Sequence, residues 1–221
     1  MRDEHDVSEA ADQLVAAARY LLEAGVISHS GHANLSARLD ANHFLLTPGL
    51  IRDLRAEQLV TVSHDGHIVD GALASSSLEI ITMHAVVYQS RPDVGAVMHT
   101  HSPSATAFAV AHRPLPCRTE ALLRLGQADD IVVVPWGPRG SDVSVRGIDA
   151  VLRQYPRTSG VLLANHGLLV FGPTAAGTAD LVIAVEESAE ACVAAAILGG
   201  SVPFPDGALD AVRASMARAA S

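Results

Sequence analysis

Gly95-Ala-Val-Met-His-Thr-His-Ser-Pro-Ser-Ala-Thr-Ala107 is the stretch on which the reading of this chain turns. Gly95 to Met98 is a small apolar run of the kind that forms a buried strand. His99 and His101 follow it, and positions i and i+2 of a strand point to the same face. Two imidazoles therefore stand side by side as a bidentate clamp that lacks a third ligand. A second apolar segment, Gly160-Val-Leu-Leu-Ala-Asn-His-Gly-Leu-Leu-Val-Phe-Gly172, is interrupted by His166. Three histidines with an open fourth position form the pattern of a catalytic rather than a structural zinc site. A lone histidine on an apolar strand is more often a satisfied core residue. A His-x-His pair with a third histidine on another apolar strand reads as a metal site.

Outward from this stretch, helical and strand periods alternate along the chain. Ser8 to Ala24 has helical spacing, with Ser8 as its expected cap and Gly25 as its stop. Leu35 to Leu39 and Phe44 to Pro48 read as strands joined by a turn at Asp40-Ala-Asn42. Leu59–Ser63 and His67–Val69 flank an Asp-Gly hairpin. Ala74 to Gln89 reads as a helix, with Ser75, Ser76 and Ser77 supplying its cap. Pro103 to Ala111 is a short helix with proline at its first position. Ile131–Val134 is a strand by its β-branched content, and Val143–Gln154 a helix. Val161–Ala164 and Leu168–Phe171 are strand pieces around His166, and an Ala-rich helix runs from Thr174 to Leu198. Residues 201–221 form a tail with room for one more short helix. The alternation implies an α/β fold, a sheet packed between helices, in a single domain spanning 1–221.

Composition narrows the chemistry. The chain has 221 residues and a formal charge of −9, which argues against a nucleic-acid surface. No window approaches the apolar run that a membrane-spanning helix needs, and the acidic N-terminus does not suit a secretory signal. Two cysteines, Cys117 and Cys192, are too few for a disulfide framework, so a reduced, cytoplasmic setting is expected. All 15 basic residues are arginine. Without lysine, neither a Schiff base nor a P-loop lysine is available. If the chain makes or breaks carbon–carbon bonds, a metal must withdraw the electrons.

Together, Ala33-Asn-Leu-Ser-Ala-Arg38, Leu46-Thr-Pro48, the serine run with Glu79, Tyr88-Gln-Ser-Arg-Pro-Asp93, Ala96-Val-Met-His-Thr-His-Ser102 and Asn165-His-Gly167 resemble the class II aldolase/adducin family. The resemblance runs from the first helix to about Gly200. It implies a three-layer αβα fold, with a central, mostly antiparallel sheet, and a homotetramer with active sites at subunit interfaces. It also implies Zn2+ (Mn2+ being the alternative ion) on His99, His101 and His166. Glu79 would be the carboxylate that exchanges protons with the substrate. Asn34, Thr47, Ser76 and Ser77 would hold a phosphate or other anionic end. Read from its residues alone, the Gly-Pro-Arg-Gly stretch offers Arg139 either as a bidentate partner for a substrate carboxylate or as a solvated loop charge. Glu120 stands where aldolase members of the family place a proton-donating tyrosine from the neighbouring subunit.

Retro-aldol cleavage needs a base for a hydroxyl proton and a sink for the resulting carbanion. Three neutral imidazoles leave zinc its full charge to stabilise an enediolate, and a nearby carboxylate serves as base and then acid. The expected function is therefore zinc-dependent aldol cleavage of a small hydroxylated carbonyl compound such as a ketose 1-phosphate. Epimerase, dehydratase and decarboxylase activities share the same metal and remain alternatives, as does a non-catalytic, adducin-like interaction module. Besides Glu120 and a C-terminal tail without the family's tyrosine, the chain departs from the family's pattern within its motifs. Glu79 precedes His84 by five residues instead of four, Ala33 replaces a glycine before Asn34, and Thr47-Pro-Gly-Leu replaces Thr-Pro-x-Gly. His29 and His32 lie near the anion loop, whereas His43, His64 and His67 read as surface residues.

Overall fold

The computed structural model describes residues 4–74, 78–138 and 141–219. In chain order the elements are α1 (Glu4–Glu23), β1 (Ala33–Arg38), β2 (His43–Leu46), β3 (Val60–Ser63), β4 (Ile68–Asp70), α2 (Leu78–Ser90), β5 (Ala96–Thr100), α3 (Pro103–Val110), α4 (Glu120–Arg124), β6 (Val133–Val134), α5 (Val143–Gln154), β7 (Gly160–Leu163), β8 (Gly167–Gly172), α6 (Ala175–Ile197) and α7 (Ala208–Ala219). The strands form one sheet in the order β4-β3-β2-β1-β5-β8-β7-β6. Every neighbouring pair is antiparallel except β6 with β7.

Strand alternation divides the core into two layers. Leu35, Leu45, Met98, Leu162 and Val170 pack against α1, α3, α4 and α6 on one face. Phe44, Leu46, Val97, Val161, Leu169 and Phe171 pack against α2 and α5 on the other. Both faces of the central strands are covered, so β5, β7 and β8 read as nearly continuous apolar runs. The architecture is the expected α/β/α sandwich around a mixed, mostly antiparallel sheet. His99 shares its face with Val97, which places the histidine pair on the α2/α5 side.

Several boundaries differ from the sequence reading. Ser8 lies inside α1, since the helix already includes Glu4. The second helix is described from Leu78, and the capping serines 75–77 lie outside the described residues. The Ile131–Val134 strand shrinks to two residues, because Ile131 is taken up in a bridge with Leu115 on another part of the chain. The tail carries α7, a twelve-residue helix packed on α4. His64 is not a surface residue: its ring is half-buried and stacked on Tyr88, with centroids 5.5 Å apart. Burial lowers its pKa, with a further push from Arg38.

The α6 prediction holds closely. Thr174 caps the helix by accepting from the Gly177 amide at 3.1 Å, and Gly199 and Gly200 take positive φ just past its end. Gly95 is required at the entry to β5, where its amide donates to the Gly172 carbonyl at 2.9 Å. A Cβ at this position would run into the Pro173 carbonyl oxygen. Backbone cannot yield as a flexible side chain would, so Gly95→Ala should destabilise the protein by about 1–3 kcal/mol. A denaturant midpoint unchanged from wild type would contradict this packing.

Candidate active site

Strand register builds the site. β5 lies between β1 and β8, so that His99 faces Asn34 on one side and Leu169 on the other. His99 is 3% exposed, and its Nδ1 donates to the Leu168 carbonyl at 2.9 Å. That bond settles the tautomer and leaves the Nε2 lone pair pointing outward, as a metal-binding histidine needs. His101 Nε2 lies 3.1 Å from His99 Nε2. His166 arrives from the turn between β7 and β8, one residue after Asn165, whose φ is 56°. The His166 ring centroid is 4.6 Å from that of His99 and 5.0 Å from that of His101.

One ligand nitrogen from each of the three residues falls within 4.8 Å of the others. Two nitrogens on one tetrahedral zinc would be about 3.3 Å apart. The donor set and its spacing therefore fit a divalent ion, without fixing which one. Gly167 guards this cradle. A Cβ there would lie 2.5 Å from the Thr100 carbonyl oxygen, 3.1 Å from His101 Cδ2 and 3.3 Å from His99 Cε1.

Electrostatics suit a cation. Burial first, then the neighbouring His166 and His101, holds the His99 pKa well below its ordinary value. Burial, His166 and His32 lower His101 to about 4. At neutral pH these two imidazoles are uncharged and ready as ligands. His32 stacks on His101 with centroids 5.4 Å apart and planes 17° from parallel.

The three histidines open onto a cavity of about 290 Å³. Asn34, Glu79 and His32 complete its polar end, and Ile80, Met83, Trp136, Pro138 and Val145 form an apolar wall. Glu79 sits in the first turn of α2, so five residues of separation still bring it to the cavity while His84 points into the core. Thr47 does not line the cavity. Its hydroxyl accepts from the Leu35 amide at 2.9 Å and donates to the Pro48 carbonyl at 3.1 Å. Glu120 lies on α4, paired with Arg124 at 3.6 Å, away from the histidines of its own chain. Ser76, Ser77 and Arg139 lie outside the described residues. His29 is exposed and offers its carbonyl to Arg52 at 3.3 Å.

Two residues near the site, Trp136 and Glu186, escaped the sequence reading, and His84 entered it only through its spacing from Glu79. Trp136, the single tryptophan, lines the cavity, and no motif or period in the sequence singled it out. Glu186 is 3% exposed and accepts from the Ser104 and Ala105 amides at 2.6 and 2.8 Å, capping the helix that follows His101. An acidic residue inside an Ala-rich helix was the available signal. His84, fully buried, bonds to Asn34 and Ser36.

The family model described as Class II Aldolase and Adducin N-terminal domain matches residues 12–193. A methylthioribulose-1-phosphate dehydratase of Hahella chejuensis is 31% identical over 190 residues, 80% of this chain and 88% of its own. A 5-methylthioribulose-1-phosphate/5-deoxyribulose-1-phosphate aldolase of Rhodospirillum rubrum is 30% identical, over 80% of this chain and 77% of its own. Among solved structures, an L-fuculose 1-phosphate aldolase superposes with a TM-score of 0.81 at 25% identity, covering 95% of this chain and 96% of its own.

Burial lowers the His84 pKa from 6.5 to about 3. The unfolded chain takes up this proton below about 6.5, whereas the folded chain resists it down to about 3. Stability is therefore full above that window and is lost progressively as pH falls through it. The melting temperature should drop between pH 7 and pH 5, and a flat profile there would contradict a buried neutral His84.

Proposed function

The chain belongs to the class II aldolase and adducin family, and on that premise we propose that it is a zinc-dependent carbon–carbon lyase acting on a ketose 1-phosphate. The observation that carries this reading is the convergence of three imidazole nitrogens beside Glu79 in one cavity. His99, His101 and His166 would hold the ion. When bound, a divalent cation supplies positive charge that withdraws electrons from a carbonyl and its neighbouring carbon. Glu79 takes the substrate's hydroxyl proton and returns a proton to the carbon left behind. Asn34, with Ser76 and Ser77, holds the phosphate, and Arg139 adds a positive charge for an anionic group of the substrate. Thr47 contributes through the backbone it braces.

Glu120 lines a different pocket from the three histidines of its own chain, so as the acid it would come from a second copy. We assign it to the neighbouring subunit of a homotetramer in which each chain acts as one domain. Exposed Trp136 at the cavity mouth and exposed Ile197, Leu198 and Val202 at the end of α6 are surfaces such an assembly would cover. Dehydration is the second reading, favoured by the named dehydratase relative and by a carboxylate in place of tyrosine at position 120. Both reactions use the same base but begin with different protons: cleavage removes the proton of the C4 hydroxyl, whereas dehydration removes the proton on C3, beside the carbonyl, and the C4 hydroxyl leaves as water. They differ in product: cleavage of a 5-deoxy- or 5-methylthio-ribulose 1-phosphate releases dihydroxyacetone phosphate, whereas dehydration keeps the carbon chain intact.

Protein purified without a polyhistidine tag should contain one zinc per chain by elemental analysis. The doubly substituted His99→Ala/His101→Ala protein should fold and lose it, and stoichiometric zinc in that variant would overturn the assignment. Glu79→Gln should keep the metal while kcat falls by about 100- to 10,000-fold with KM little changed. Mixing Glu79→Gln with Glu120→Gln subunits should restore activity, because some mixed sites hold both native residues. No recovery after confirmed subunit exchange would remove Glu120 from the site.

A further inference from the structure

Behind the cavity, a line of buried polar side chains crosses the otherwise apolar seam between β1 and α2. Asn34 and Ser36 share one face of β1, and His84 and Tyr88 lie one turn apart on α2. His84 Nε2 is 2.6 Å from Asn34 Oδ1, and His84 Nδ1 is 2.7 Å from Ser36 Oγ. Ser36 Oγ is 2.8 Å from the Tyr88 hydroxyl. None of the four is more than 3% exposed. Full burial also keeps His84 neutral, so it carries one ring proton.

The shortest hydrogen bonds select one direction along the line. Among the described residues, the sole acceptor for the Tyr88 hydroxyl proton is Ser36 Oγ. A buried hydroxyl proton without an acceptor would be costly. Tyr88 therefore donates to Ser36, Ser36 donates to His84 Nδ1, and His84 Nε2–H donates to Asn34 Oδ1. With its oxygen taken, Asn34 turns its amide nitrogen to the cavity it lines. Among the described residues nothing accepts from that nitrogen. The full reverse order would strand the tyrosine proton, and an order in which Ser36 donates to the Val97 carbonyl would exchange its 2.7 Å bond to His84 for one of 3.5 Å; either would present the carbonyl oxygen instead.

We propose that His84, backed by Ser36 and Tyr88, is a positioning residue that locks Asn34 as an N–H donor toward an oxyanion of the bound ligand. The chemistry selected is an acceptor-only group, a phosphate or carboxylate oxygen, and a cationic or donor-only group is rejected. The inference rests on the cavity being the active site proposed above, but the direction of the hydrogen bonds does not.

Neutron diffraction from crystals of the deuterium-exchanged, metal-loaded protein reads that direction. A deuteron on His84 Nε2, none on Nδ1, and the Asn34 amide nitrogen facing the cavity are expected. A deuteron on Nδ1, or the Asn34 oxygen facing the cavity, overturns the proposal. Asn34→Asp keeps the shape but replaces the donor with a carboxylate. Its affinity for dihydroxyacetone phosphate, measured by calorimetry, should fall by at least about 10- to 100-fold with metal content unchanged. His84→Gln, which keeps a donor near the Nε2 position, should retain more of that affinity than His84→Leu. Wild-type affinity in folded Asn34→Asp, or equal losses in the two His84 variants, would overturn the positioning role. The expected deuteron pattern in a protein that transforms no ketose phosphate would instead count against the reaction and leave the hydrogen-bond direction standing.

Discussion

The position of β5 between β1 and β8 is the constraint on which the site depends. Antiparallel pairing on both sides puts His99 opposite Asn34 and Leu169. It also sets the Leu168 carbonyl to accept from His99 Nδ1. The same pairing brings the β7–β8 turn, with His166, to the end of the strand where His101 emerges. A one-residue slip of β5 would send both histidines to the opposite face, among the apolar residues of α1 and α6. Close approach at Gly167 leaves no room for a side chain in this corner.

The cavity has no built-in positive charge among its described lining residues. Its side chains include no arginine, the chain has no lysine, and burial keeps His99 and His101 neutral at physiological pH. Among the described residues, the histidine cluster is where a stabilising cation could be held. This unites the composition with the geometry: a cluster of neutral imidazoles is a poor electrostatic site by itself and a good ligand set. The cavity lining also includes the apolar side chains of Trp136, Met83 and Ile80, which offer contact surface to whatever binds.

Two buried polar arrangements support this arrangement at a cost in stability. Glu186 carries its carboxylate in the core to meet the amides of Ser104 and Ala105. The Asn34–His84–Ser36–Tyr88 line occupies space that apolar side chains could fill. Burying such groups is tolerable only when every donor finds its partner. Partnered throughout except at the Asn34 amide nitrogen, which faces the cavity, they hold α2 and α3 in fixed relation to the strand carrying the histidines.

The three metal-ligand candidates were legible in the sequence because strand geometry is local. A period of two places His99 and His101 on one face wherever the strand lies. The α/β class, α3, α5 and the limits of α6 were also legible, since proline, threonine and glycine mark their ends chemically. What lies between strands was not legible. The pairing of His99 with Asn34, the burial of His84 and the cap supplied by Glu186 join residues from 50 to 82 positions apart. No local pattern encodes such contacts. His64 shows the same limit, for its hairpin reads as surface and only the packing of Tyr88 beneath it makes it half-buried. Thr47 and Glu120 were chosen by motif and region, but the direction of a side chain is decided by what packs around it. The sequence by itself determined which side chains can do chemistry; the tertiary structure decided which of them meet, because the free energy that brings distant strands together comes from burying both faces of the sheet.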